Sequence, residues 1–132
     1  MKTTANLVTQ AQSAMQNAYA PYSKFHVGAA IIDENNRLHT GCNVENSAYP
    51  LGTCAEASAF SSMVLSGARM IKQIMIVSSG ELMVTPCGGC RQKIKEFCDE
   101  ETEILIAHND TVTTFHIEDL LPHSFCKKHL NK

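Results

Sequence analysis

Two short stretches of the chain carry the residue types best suited to chemistry. Residues 53–56 contain Cys54 and Glu56, and residues 85–90 contain Cys87 and Cys90. Thiolates are preferred ligands of zinc, and a catalytic zinc site uses three protein ligands and leaves a position for water. The three thiols therefore predict a catalytic zinc ion, with the Glu56 carboxylate as the group that moves protons beside it.

The spacing of the cysteines favours convergence on one ion. Cys87 and Cys90 are three positions apart, so both thiols can face the same side of a helix. Each stretch is typical of the first turn of a helix, where partial positive charge and free N–H groups favour thiolate over thiol. Cys98 follows Cys90 by eight residues, which is about 12 Å along a helix. We therefore expect three ligands plus water.

Other interpretations of the same residues remain open at this point. A lone Cys-x-x-Cys also occurs in redox sites and in zinc ribbons, although a ribbon needs a second such pair and a redox site leaves Cys54 and Glu56 unexplained. Thr53 and Glu56 also fit a capping box, which would give the carboxylate a purely structural role. The joint pattern, Cys-x-Glu followed by Pro-Cys-x-x-Cys, is more specific and lies close to that of zinc nucleobase deaminases.

The elements that must position these residues follow from hydrophobic periodicity. It predicts helices from Thr4 to about Ala20, from near Cys54 to about Ser66, from Pro86 in a first turn onward, and, briefly, near residues 118–121. It predicts strands over residues 25–32, 37–45, 73–78, 103–107 and, as a fifth, 112–117. Helices alternating with apolar strands in this order predict a three-layer α/β/α domain around one sheet.

Alternation along the second strand separates two rows of side chains. Cys42 falls in the row that we expect to face the core, whereas Asn43 and Glu45 belong to the opposite row. Polar side chains on that row predict either a solvated face or a surface that binds a polar ligand.

Length and composition restrict the class of protein. A chain of 132 residues, 44% hydrophobic and 18% charged, predicts a single domain over residues 1–132 with a buried core. A net charge of -2 argues against nucleic-acid binding, and no apolar run is long enough for a membrane span. The first residues lack the pattern of a signal peptide, so we expect a cytoplasmic protein whose six cysteines bind metal, catalyse or pack rather than form disulfides.

Nearly end to end, the sequence resembles the small cytidine deaminases of the free-nucleoside salvage type. The matching motifs are residues 20–25, 27–30, 41–46 with Tyr49, 54–56, 86–92, and 120–122 followed by Phe125. The resemblance implies a mixed five-stranded sheet, one zinc ion per subunit and hydrolysis of cytidine and deoxycytidine to uridine and deoxyuridine plus ammonia.

The resemblance also implies roles for individual residues. Cys54, Cys87 and Cys90 would hold zinc, whose bound water attacks C4 of cytosine while Glu56 transfers the protons. The residues implied in substrate binding are Phe25, which would stack on or against the base, Asn43 and Glu45, which would hold the ribose hydroxyls, and Ala55. Tyr49 and Phe125 would also bind substrate, at positions that reach a neighbouring subunit's site. Sites shared in this way imply a homotetramer.

One departure from the family pattern affects the charge of the site. Many tetrameric relatives carry arginine directly after the glutamate, where it offsets the thiolates, and this chain has Ala57. Three thiolates on Zn²⁺ leave a net negative site. We hypothesise that Arg91 replaces the missing charge or, failing that, that helix N–H groups do so.

Two alternative functions remain open, and the first also fits the absence of arginine at position 57. Deaminases of the blasticidin-S type share the Cys-Ala-Glu and Pro-Cys-Gly-x-Cys motifs and also lack that arginine, although residues 43–46 and Tyr49 favour a nucleoside substrate. A domain that binds zinc only for structure or for interaction with other proteins would retain the metal without turnover.

Overall fold

The computed structural model describes residues 4–130, except for the side chain of Ala5. The helices are α1 (Thr4–Met15), α2 (Ala55–Leu65), α3 (Gly88–Glu96) and α4 (Ile117–Leu120). The strands are β1 (Val27–Asp33), β2 (Leu38–Cys42), β3 (Ile71–Ser78), β4 (Glu103–His108) and β5 (Thr111–Phe115). Short 3₁₀ turns occupy Tyr49–Leu51 and Lys127–His129.

The five strands form one mixed sheet in the order β2-β1-β3-β4-β5. The β3–β4 pair is parallel and the other neighbouring pairs are antiparallel. Leu7 and Ala11 of α1 pack against one face, while α2, α3 and α4 cover the other. The predicted three-layer α/β/α fold with a mixed sheet is therefore confirmed.

Burial of the central strands explains their composition. Six of the seven residues of β1 are buried, as are most of those in β3, because helices cover both faces there. The edge strands differ, since four of the five residues of β5 are exposed. None of the helices described between residues 4 and 130 is long and apolar enough to cross a membrane.

Periodicity predicts that the first helix continues to about Ala20, but α1 ends at Met15. The following segment leaves the helix because Tyr19 pairs with the chain beyond β2. The Tyr19 N–H donates to the Asn43 carbonyl at 3.0 Å, and the Glu45 N–H donates to the Tyr19 carbonyl at 2.8 Å. These tertiary hydrogen bonds outweigh the helical preference of the sequence.

The segment after β2 is also fixed on its other side. The N–H of Val44 donates to the Thr53 carbonyl at 2.9 Å, and the Thr53 N–H donates to the Val44 carbonyl at 2.8 Å. Residues 43–45 consequently lie between Tyr19 and Thr53, directly beside the start of α2.

The buried row of β2 is not the row expected from alternation. His39 and Gly41 are buried, whereas Cys42 is half-buried and Thr40 is exposed. The reason is that α2 packs directly on Gly41: a Cβ there would lie 2.6 Å from the Ala55 carbonyl oxygen and would also collide with the α2 backbone one turn later. Only glycine allows this approach, which sets the position of the first turn of α2.

A buried carboxylate, that of Asp33, lies at the end of β1 beside the β1–β2 turn. Asp33 Oδ1 accepts hydrogen bonds from the Asn35 N–H at 2.7 Å and the Arg37 N–H at 3.0 Å. Its Oδ2 lies 2.7 Å from His39 Nε2 and 3.4 Å from Arg37 Nε. Burial alone would raise the pKa of Asp33, but the bond with His39 and the backbone bonds outweigh it, so the pKa lies below its ordinary value.

Candidate active site

The three predicted cysteines form one cluster. The Sγ atoms of Cys54, Cys87 and Cys90 all lie within 4.8 Å of one another. Within the part of the chain that the structure describes, they are the one group of three or more His, Cys, Asp or Glu side chains able to hold a metal ion. A set of three sulfur donors fits zinc and leaves a fourth position open. Cys98 lies beyond the end of α3, outside the cluster.

Two helix N-termini meet at this cluster. Cys54 is the N-cap of α2 and Cys87 is the N-cap of α3, both in extended conformation. Neither thiol makes a capping hydrogen bond to its own helix. Pro86 precedes the Cys87 cap, rather than lying in the first turn as predicted. Because the positive ends of two helix dipoles point at the same place, the cluster is suited to anionic sulfur.

The thiols differ in how readily they ionise. The hydrogen bond from the Cys90 backbone lowers the pKa of Cys87 below its ordinary value, against the opposing effect of burial. Burial raises the pKa of both Cys54 and Cys90, and the nearby charges of Glu56 and Cys87 raise each of them further. A bound cation would remove that mutual repulsion, so the donor set fits a metal ion better than three free thiols.

Glu56 lies beside the cluster as the second residue of α2. Only 5% of its surface is exposed, and burial raises the pKa of the carboxyl, while the positive charge of Lys93 acts in the opposite direction. The capping-box interpretation is wrong, because the N-cap is Cys54 and the third helical position is Ala57. A buried carboxyl with a raised pKa is suited to accepting and returning protons near neutral pH.

A cavity of about 320 Å³ adjoins these groups, within the range of small-molecule sites. It brings Cys54, Cys87 and Glu56 together with four of the six candidate substrate residues: Phe25, Asn43, Glu45 and Ala55. The rest of the lining, for which the sequence predicts no role in substrate binding, consists of Val27, Val44, Gly52, Thr53, Ile76, Val84 and Thr85. These residues come from separate elements that meet only in the fold.

Asn43 also holds the backbone of the cavity wall. Its Oδ1 accepts a hydrogen bond from the Val27 N–H at 2.8 Å, and its Nδ2 donates to the Phe25 carbonyl at 2.8 Å. The side chain therefore acts as a clamp across residues 25–27, a function that alternation on the strand did not indicate.

Glu45 has a similar second function in the preceding turn. Its Oε1 accepts from the backbone N–H groups of Tyr22 at 3.0 Å and Ser23 at 3.2 Å, and its Oε2 accepts from the Ser23 hydroxyl. The bond with the Ser23 hydroxyl is the main cause that lowers the pKa of Glu45. Glu45 is therefore an ionised acceptor at the edge of the cavity.

Tyr49 and Phe125 do not line this cavity. Tyr49 is 77% exposed, with its ring centroid 5.9 Å from that of Tyr22, in a neighbouring depression. Phe125 is 56% exposed and stacks on His129 at 5.1 Å, while its carbonyl accepts a hydrogen bond from Gln92 of α3 at 2.9 Å. Their expected contact with a neighbouring subunit's site stays a prediction.

Arg91 is committed to the backbone around the cluster. Its Nε donates to the Pro86 carbonyl at 2.7 Å, its Nη1 to the Leu120 carbonyl at 2.8 Å and its Nη2 to the Thr85 hydroxyl at 2.8 Å. The hypothesis that Arg91 replaces the missing arginine charge on the thiolates is therefore not supported. The guanidinium instead braces the segment before Cys87 against the end of α4.

Comparison with known proteins gives consistent matches. The family model described as the cytidine and deoxycytidylate deaminase zinc-binding region matches residues 1–106. The cytidine deaminase of Sporosarcina psychrophila is 40% identical over 126 residues, which cover 95% of this chain and 93% of that protein. The cytidine deaminase of Mycoplasma genitalium is 38% identical over 123 residues, covering 92% of this chain and 94% of that one.

Solved structures agree with the sequence matches. The crystal structure of cytidine deaminase from Burkholderia pseudomallei superposes with a TM-score of 0.88 at 36% identity, covering 93% of this chain and 99% of that chain. Cytidine deaminase from Mycobacterium tuberculosis gives a TM-score of 0.80 at 36% identity, with coverage of 94% and 98%.

Proposed function

The chain belongs to the cytidine and deoxycytidylate deaminase family, and we propose that it is a zinc-dependent hydrolase that converts cytidine and deoxycytidine to uridine and deoxyuridine with release of ammonia. The observation that carries the proposal is the buried Glu56 carboxyl, which shares one cavity with two of the three clustered thiols. The proposal includes a single domain over residues 1–132 and a cytoplasmic location.

The cysteine cluster and Glu56 divide the chemistry between them. Cys54, Cys87 and Cys90 would hold one zinc ion per subunit, which when bound supplies Lewis acidity that lowers the pKa of water toward neutrality. Glu56 accepts a proton from the attacking water and delivers it to N3 of the base. Once the water oxygen is bonded to C4, the same carboxyl takes the remaining proton of that hydroxyl and gives it to the amino nitrogen. The C4–N bond then breaks, so that cytidine and water become uridine and ammonia. Its raised pKa supports both transfers.

Asn43 and Glu45 have hydrogen-bonding capacity left for the ribose. An amide oxygen accepts two hydrogen bonds and an NH₂ group donates two, and Asn43 uses one of each within the chain. A carboxylate offers about four acceptor positions, and three donors already bond to Glu45. Both side chains can therefore bind ribose hydroxyls without releasing the backbone that they hold. Phe25 stacks on or against the base, and Ala55 is a further substrate-binding residue on the cavity wall.

Two exposed aromatic residues support a homotetramer with shared sites. Tyr49 and Phe125 are large apolar side chains on the surface, and exposed apolar patches commonly mark protein interfaces. In the proposed assembly each ring contributes to a neighbouring subunit's site. Mixing a Glu56→Gln protein with a Phe125→Ala protein should then restore activity that neither has alone, because some mixed sites contain both native residues. A fully active monomer in light scattering would refute the shared sites.

The direct test of the reaction is the ultraviolet absorbance of cytidine and deoxycytidine with zinc-loaded protein. We expect turnover by the wild type and a loss of about 10²–10⁴-fold in Glu56→Gln, the usual contribution of a general acid–base group. Metal analysis should find one zinc ion per subunit in both proteins. Glu100→Gln, the same change at an exposed position, is the matched control and should keep full activity.

Failure would point to one of the alternatives. Turnover of blasticidin S without turnover of cytidine or deoxycytidine would favour a nucleoside-analogue deaminase. A zinc-loaded wild type with no turnover of any of the three would favour a structural zinc-binding domain.

A further inference from the structure

We propose that Gly80, together with Ser79, positions the Phe25 ring and thereby sets the room available to the base in the substrate cavity. The inference rests on the proposed function, because it concerns the wall of the same cavity. Gly80 lies in the loop between β3 and α3 and is not part of the cavity lining.

The backbone that carries the Phe25 ring is fixed by hydrogen bonds on both sides. The Phe25 N–H donates to Ser23 Oγ at 3.0 Å, and the Phe25 carbonyl accepts from Asn43 Nδ2 at 2.8 Å. The next residue is fixed by Ser79: the His26 N–H donates to Ser79 Oγ at 2.9 Å, and the Ser79 N–H donates to the His26 carbonyl at 2.8 Å. The ring can therefore adjust only by rotation about its side-chain bonds.

Gly80 lies close against one edge of the Phe25 ring. A Cβ at position 80 would lie 2.8 Å from Phe25 Cε1, 3.7 Å from Cζ and 3.8 Å from Cδ1. Favourable carbon–carbon contacts lie at about 3.5–4.0 Å, so the first of these distances could be relieved only by movement of the ring. The Gly80 backbone lies outside the left-handed region. Glycine therefore leaves room for the ring at this position, and the conformation of the chain does not itself demand glycine.

The consequence of a larger side chain follows from these two constraints. Since the backbone of residues 25–26 cannot retreat, the ring would turn away from position 80 and into the cavity that it borders together with Glu56 and Cys87. With glycine at position 80, the Phe25 ring stays at the wall and does not enter the cavity. Gly80 and Ser79 are thus positioning residues that act on the substrate through Phe25.

The test is the substitution Gly80→Ala in the zinc-loaded enzyme. Stacking of a base on an aromatic ring contributes to its binding, so partial displacement of the ring should raise KM for cytidine by about 3- to 30-fold. Because the ring binds the ground state and the transition state alike, kcat should stay within about 2-fold. Leu82→Ala is the control in the same loop, since Leu82 is 80% exposed and does not line the cavity.

A double-mutant cycle separates this mechanism from a general disturbance of the loop. Phe25→Leu removes the Cε1 atom that the new Cβ would meet, so Gly80→Ala should raise KM no further in that background. An equal rise in both backgrounds, or a fall in kcat at unchanged KM, would overturn the proposal.

A readout that does not depend on turnover keeps this proposal distinct from the proposed function. Aromatic ¹³C resonances of Phe25, assigned with Phe25→Leu, should move in Gly80→Ala and stay in place in Leu82→Ala. Unmoved Phe25 resonances in Gly80→Ala overturn the proposal even in a protein without deaminase activity.

If Gly80→Ala does not fold, the variant Ser79→Ala tests the same proposal. Ser79→Ala removes the acceptor of the His26 N–H and should raise KM by about 2- to 5-fold, in line with one lost hydrogen bond. Ser79→Thr keeps the hydroxyl and should restore KM. An unchanged KM in Ser79→Ala would overturn the proposal, because Ser79 fixes the backbone next to the ring.

Discussion

The clamp made by Asn43 can be tested apart from any contact with substrate. Asn43→Ala removes two hydrogen bonds of 2.8 Å and leaves the Val27 N–H and the Phe25 carbonyl without those partners in a half-buried place. Each bond contributes about 0.5–1.5 kcal/mol net, and losing one partner of a buried group costs more. We expect the free energy of unfolding to fall by about 2–3 kcal/mol.

Urea denaturation of the zinc-loaded protein measures this change directly. In a chain of this size each kcal/mol also lowers Tm by about 3–5 °C. Asn35→Ala is the control, because Asn35 is exposed in the β1–β2 turn, and surface changes of this kind shift stability by less than about 0.5 kcal/mol. If Asn43→Ala raised KM but left the free energy of unfolding unchanged, Asn43 would serve the ligand alone and the clamp would be refuted.

Three other sites give separate predictions. Gly41→Ala should destabilise the fold by about 3 kcal/mol, as overpacking does, and should lower zinc content, because α2 must leave the sheet; normal metal content would contradict this. Arg91→Ala should cost about 2–4 kcal/mol through its lost charge-assisted bonds, and Arg91→Lys should not rescue it; equal urea midpoints for wild type and Arg91→Ala would refute the brace. Since the Asp33 carboxyl has a lowered pKa, its stabilisation is present above the unfolded value of about 4 and is lost as pH falls through the folded value. In Asp33→Asn the free energy of unfolding should thus fall less steeply as the pH is lowered than it does in the wild type. Equal slopes in the two proteins would contradict this prediction.

The chemistry of the site could be predicted from the sequence because its key spacings are local. Cys87 and Cys90 are one helical turn apart, and Cys54 and Glu56 lie at the start of another helix, so local spacing was enough to recognise each pair. That the two pairs meet was inferred from the ligand number of a zinc site, and the fold brings them together. The three-layer fold followed from the order of apolar strands and helices in the same way.

The features that could not be predicted from the sequence depend on contacts between segments that are distant along the chain. The end of α1 is set by Tyr19 pairing with residues 43–45, against the local helical pattern. Arg91 looked available for the thiolates, yet its partners lie in the preceding loop and at the end of α4. Gly80 carries no motif, and only the position of the Phe25 ring shows why it is glycine.

The order of the three thiols along the chain has a consequence for assembly of the protein. Cys87 and Cys90 can bind a metal ion even in an unfolded chain, because they are sequence neighbours. Bringing Cys54 to the same ion there means closing a loop over residues 54–87, which chain entropy opposes by about 4 kcal/mol. The folded sheet has already closed that loop. Metal affinity is therefore linked to folding mainly through Cys54, so a chelator that removes the ion also releases the tie between the starts of α2 and α3.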